Sequence, residues 1–71
     1  MTLTERIAQV SSMEARRFER LPGHVRVIAA EGIIRHIDAC DRLGTEPDGL
    51  AIREIMEDAW TGRRVWAENV P

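Results

Sequence analysis

Glu14 and His36 are the residues of this chain whose types and setting most invite chemistry. A carboxylate within reach of an imidazole can pass a proton near neutral pH, and a neighbouring hydroxyl would complete a hydrogen-bonded row. Glu14 falls in the middle of an apolar seam of Leu3, Ile7, Val10, Phe18 and Leu21, and His36 falls on the apolar arc of the segment that follows. If these two segments form an antiparallel helical hairpin turning at Pro22-Gly23, Glu14 lies opposite Gly32, and His36 lies opposite Val10 or Ser11, about one turn away. A Glu14 to His36 hydrogen bond is therefore expected as a buried polar pair, with Ser11 as a third member, because a carboxylate buried alone is costly. Acid-base catalysis would also need a pocket that holds substrate and excludes water, and a chain of 71 residues leaves little room for one. The pair reads as structural, and no catalytic residue is assigned.

His36 and Cys40 stand four apart and could share a helix face, but with only His24 as a distant third they fall short of a four-ligand zinc set. No metal and no cofactor is expected. Cys40, set among apolar neighbours, reads as a small buried hydrophobe rather than a nucleophile. With no nucleophile-base pair, metal set or phosphate-binding loop in view, an enzyme is the least favoured class.

Residues suited to binding are easier to find. Trp60 and Trp66 enclose Arg63 and Arg64, and Phe18 is the only other aromatic in the chain. Tryptophan and arginine are the types most enriched at binding hot spots, so this end is a candidate protein-binding surface, with closure of the core by Trp60 as the plain alternative. A second candidate is the arginine face of the first helix, Arg16, Arg17 and Arg20 with Arg6, which could hold an acidic protein surface or phosphates. Interspersed Glu5 and Glu19 make a merely solvated face the competing explanation. Charge is uneven along the chain. Residues 1 to 26 carry five Arg and three Glu, residues 27 to 61 three Arg and eight acids, and the last ten two Arg and one Glu, for a net charge of −2.

Helices must position these residues. Thr2 followed by Glu5 matches a capping box, so the first helix is predicted over about 3–21, ended by Pro22-Gly23. A second is predicted over about 24–43 with Gly44 as its stop, and a third over about 49–61, with Thr45 or Asp48 as N-cap. Residues 62–71 form a tail, either a last turn or an ordered extension, since Trp66 would share the face of Ile55 and Ala59 if the helix continued past Gly62. On the second helix Glu31, Arg35, Asp38 and Arg42 form one narrow charged stripe, with both acid-before-base pairs in the favourable i, i+4 order. The rest of its circumference is apolar, wider than the roughly 100° of an ordinary surface helix, so it needs neighbours on several sides. Short connections imply antiparallel neighbours: an all-α helical hairpin plus a third helix, a three-helix bundle-like single domain.

Such a chain has a modest core. A single cysteine excludes an intrachain disulfide, which leaves a homodimer as the expected means of completing the fold. Ile28, Ile33, Ile34, Ile37, Ile52, Ile55 and Met56 are the residues assigned to core or dimer contact. No apolar run is long enough to span a membrane, and the start of the chain lacks the pattern of a signal peptide, which predicts a cytoplasmic protein in a bacterial or phage-infected cell.

All ten basic residues are arginine. In size, arginine-only basicity and helical design the chain resembles the short accessory proteins of bacteriophages and mobile elements. That resemblance implies a small protein that binds one host protein and blocks it. The favoured function is accordingly a non-enzymatic interaction module that modulates or inhibits a larger, unidentified protein. A nucleic-acid-binding transcriptional regulator acting through the arginine face is one alternative and a structural or assembly component another. A helix-turn-helix fits poorly, because the candidate recognition helix, Leu50 to Thr61, holds three acids against one arginine and would be repelled by phosphates.

Overall fold

A computed structural model describes the backbone of residues 1–69 and the side chains of residues 1–62. All regular structure among them is helical: α1 (Leu3–Val10), α2 (Ser12–Arg20), α3 (Gly23–Leu43) and α4 (Gly49–Asn69). Thr2 caps α1 through a closed capping box, its hydroxyl accepting from the Glu5 N–H while Glu5 accepts from the Thr2 N–H.

The single first helix expected over 3–21 is two helices, because Ser11 stops one and starts the next. Its backbone is extended, its N–H donates to the Ile7 carbonyl at 2.8 Å, and its side chain accepts from the Glu14 N–H at 3.3 Å. Ser11 and Glu14 have the same three-residue spacing as Thr2 and Glu5, but here the box closes only halfway. The Ser11 N–H is already taken by Ile7, so the Glu14 carboxylate is released from the local turn and swings into the interior.

Leu21 is extended before Pro22, as a residue preceding proline prefers, and α3 follows at once. Gly44 ends α3 in the left-handed region (φ 71°), and the Thr45 N–H closes back on the Cys40 carbonyl at 2.9 Å. Asp48 then caps α4, accepting from the Leu50 N–H at 3.1 Å. The third expected helix runs on past Gly62 to Asn69, so the predicted tail is largely a continuation of α4.

Cross-element contacts fix the directions. His36 meets Asp48 and Gly32 meets Ile55, so α4 runs antiparallel to α3. Along α1, Leu3 lies by Ile34 and Ile37, Arg6 pairs with Asp41 and Val10 reaches Thr45 and Pro47, so α1 runs parallel to α3. The chain reverses at Ser11, and α2, with Glu19 beside Arg26, runs antiparallel to α3. The core between them contains Ile7, Phe18, Val25, Ala29, Ile33, Ile37, Ile52 and Met56, with Ile55 half-buried at its edge. Ile28 and Ile34, assigned to core or dimer contact, lie outside this core and are exposed. The shortest extent of the molecule is 19 Å, about two helix diameters, so a side chain in this core is never more than one layer from water. Among the described residues no helix is long and apolar enough to cross a membrane.

Candidate functional site

The expected Glu14 to His36 pair does not form. Splitting the first helix at Ser11 re-aims everything after it, and Glu14 turns toward α4 instead of α3. The residue is 3% exposed, and one oxygen, Oε1, accepts from Arg53 Nε at 3.3 Å and lies 3.4 Å from Arg17 Nη1. The other oxygen, Oε2, is buried without a hydrogen-bond partner. Ser11 contributes only its cap. His36 faces the α3–α4 connection, where Nε2 accepts the Asp48 N–H at 3.2 Å and lies 3.8 Å from Cys40 Sγ. The imidazole lone pair is thus engaged in holding the start of α4, and Cys40 is buried beside it. Among the described residues no group of three or more metal-binding side chains comes together.

What α2 and α4 do assemble is a groove of about 310 Å³ lined by Arg17, Arg20, Leu21, Arg53, Met56, Glu57 and Trp60. Its construction follows from helix geometry. Ser11 meets Gly49, Glu14 meets Arg53, and the two helices run side by side in the same direction from there. Arg17 and Arg20 are one turn apart on α2 and reach the rim, while on α4 the i, i+3, i+4, i+7 set Arg53, Met56, Glu57 and Trp60 faces them. Leu21 and the buried Met56 supply an apolar floor, and Trp60 stands 47% exposed at one end.

The electrostatics are graded along the rim. Arg17 and Arg53 share the buried Glu14 carboxylate, which fixes both guanidinium groups and neutralises part of their charge. Arg20 has no ion pair among the described residues and lines the same groove as Trp60. A planar guanidinium next to an indole over an apolar floor can take a carboxylate on one group and an apolar side chain on the other.

Of the residues assigned to protein binding, Arg17, Arg20 and Trp60 are brought together here, from helices some 40 positions apart in sequence. Arg16 is exposed on α2 but does not line the groove. Arg6 leaves the arginine face altogether and pairs with Asp41 on α3 at 3.1 Å, where the break at Ser11 has carried α1. Arg63, Arg64 and Trp66 lie outside the residues whose side chains are described. Arg53 was missed as a site residue, and so was the anchoring role of Glu14; Met56, assigned to core or dimer contact, is buried in the core and also floors the groove. The helical spacing of Arg53 to Trp60 is the signal that points to them, and Ser11-x-x-Glu14 is the signal for the break. Comparison with known proteins finds no family model, no curated protein and no solved structure that matches this chain.

Proposed function

We propose that the chain is a non-enzymatic helical interaction module that associates with a second copy of itself and binds and modulates a larger protein through the groove between α2 and α4. Its setting in this reading is the cytoplasm of a bacterial or phage-infected cell. The observation that carries the proposal is the groove itself: an apolar floor of Leu21 and Met56 rimmed by Arg17, Arg20 and Arg53, with Trp60 half-exposed. The matching partner surface is a short amphipathic segment that offers one or two apolar side chains to the floor and carboxylates to the rim.

Calorimetric titration with acidic amphipathic helical peptides tests this directly. Hot-spot residues of these types contribute on the order of 2 kcal/mol each, so the Trp60→Ala, Arg20→Ala variant should bind such peptides at least ~30-fold more weakly than the wild type. Peptides that bind both proteins equally, or a wild type that binds none of them, would remove the reading. Arg16 and Arg20, both exposed and without ion pairs among the described residues, favour one second reading, the nucleic-acid regulator. Steeply salt-dependent duplex binding, lost in the Arg16→Ala, Arg20→Ala variant, would put that reading first.

A further inference from the structure

α3 presents more apolar surface than its neighbours cover. Val27 is 71% exposed and Leu43 78%, and Ile28, Ile34 and Ala39 are exposed as well. Between them runs the stripe Glu31, Arg35, Asp38 and Arg42, every member exposed, with Arg35 Nη2 2.6 Å from Glu31 Oε1. At about 100° per residue, Val27 and Ile34 fall on one side of that stripe and Ile28, Ala39 and Leu43 on the other. The buried residues Val25, Ala29, Ile33, Ile37 and Cys40 occupy the far side of the helix. This outer face is therefore a charged line with an apolar flank along each edge.

The order of charges says what fits it. Along the chain they run acid, base, acid, base, and in the reverse direction they run base, acid, base, acid. A parallel copy of the stripe in register meets like with like, whereas an antiparallel copy meets opposite sign at every level. We infer that the outer face of α3 is the docking surface for a second copy of this chain, laid antiparallel, with Glu31 facing the partner's Arg42 and Arg35 facing the partner's Asp38. The inference deepens the self-association in the proposed function by giving it a face and a register.

The flanks agree with the same register. At about 1.5 Å per residue, it brings Ile28 to within about 3 Å in height of the partner's Leu43, and it sets Ile34 on the same edge as the partner's Ile34, about 7–8 Å along the axis. Each contact occurs twice about a two-fold axis, as an isologous interface requires. The division of labour is physical: exposed ion pairs contribute little attraction singly but penalise the wrong alignment, and the apolar flanks supply the driving force. Because the stripe lies on the side of α3 turned from the core, the pairing leaves the α2–α4 groove open.

Sedimentation equilibrium of the full chain tests this with two charge-reversal variants. Arg35→Glu, Arg42→Glu makes the stripe wholly acidic, and Glu31→Arg, Asp38→Arg makes it wholly basic. All four positions are exposed, and unchanged circular dichroism confirms that each variant folds. The wild type should dimerise, each variant alone should self-associate at least ~10-fold more weakly, and an equimolar mixture should recover a heterodimer. A monomeric wild type at several hundred micromolar overturns the inference and the self-association together. Variants that dimerise like the wild type, or a mixture that stays monomeric, overturn the face and register. Peptide binding by the groove is read separately, on the Trp60→Ala, Arg20→Ala variant, and is not touched by either result.

Discussion

Glu14 and its two arginines make an asymmetric pair of perturbations. The Glu14 side chain is 4% exposed and has one oxygen without a partner, whereas the side chains of Arg17 and Arg53 are 44% and 38% exposed and can reach water. Removing the carboxylate with Glu14→Gln leaves two cations that re-solvate, and their partial exposure discounts the lost attraction to about 1 kcal/mol. Removing the cation with Arg53→Met leaves a buried anion held by Arg17 alone at 3.4 Å, and breaking a buried pair from that side costs about 2–3 kcal/mol. In a 71-residue domain of some 4–10 kcal/mol total stability, the second change lowers the midpoint by about 10–20 °C and the first by about half that or less. Replacing both at once, Glu14→Leu with Arg53→Met, should return stability to within about 1 kcal/mol of the wild type, because no buried charge remains and Arg17, left without its partner, is exposed enough to be solvated. Urea unfolding for the free energies and thermal unfolding for the midpoints, both followed by circular dichroism at one protein concentration so that association does not shift them, give the values for the wild type and the three variants. A Glu14→Gln loss larger than that of Arg53→Met would refute the argument that the buried member dominates.

Other substitutions separate packing from propensity. A Cβ on Gly32 would sit 2.8 Å from Ile55 Cγ2, a β-branched atom that cannot swing away, so Gly32→Ala should destabilise by about 1–2 kcal/mol despite its gain in helix propensity. Gly62, with nothing within 4 Å, is the control: thermal unfolding should show Gly62→Ala stabilised by about 0.5–1 kcal/mol. Ser11→Ala removes the side-chain cap of α2 and should cost about 1 kcal/mol by chemical denaturation. His36→Leu deletes one exposed acceptor of the Asp48 N–H and should cost only about 0.5–1.5 kcal/mol, far below the loss expected had His36 been the partner of buried Glu14.

The long α3 was the most legible part of the chain in advance, because its start at Pro22-Gly23, its stop at Gly44 and its charged stripe are each local signals. The cap at Asp48 was legible for the same reason. What was missed at Ser11 was a competition between signals: the apolar periodicity runs straight across it, yet a serine followed three residues on by a glutamate is as good a helix start as Thr2 and Glu5. The extended residue there turns the chain back, so that α2 runs against α1 instead of continuing it. That turns Glu14 from His36 to Arg53, and hairpin arithmetic built on a continuous helix could not follow it. Gly62 left the end of α4 open, since a glycine after an amphipathic run resembles a stop while Trp66 extends the apolar face beyond it; the glycine is tolerated within α4 at a modest cost. Arg17, Arg20 and Trp60 were picked out by residue type alone. Their meeting in one groove depends on the packing of α2 along α4, a long-range fact with no local signature.

The shared cap at Ser11 also divides the molecule by how readily it opens. α1 is eight residues long, too short to persist alone in water, and its only fully buried side chain is Ile7. Phe18, Ala29, Ile33, Ile52 and Met56 join the other three helices without it. Because Ser11 already ends α1 with its own N–H and starts α2 with its hydroxyl, undocking α1 leaves the α2 cap intact. Amide protons of residues 6 to 10 should therefore exchange through a sub-global opening, several kcal/mol below the free energy that protects the middle of α3. On that expectation the N-terminal helix is a detachable flap over Ile37 and Asp41, and the rest of the domain should keep its fold while that flap is away.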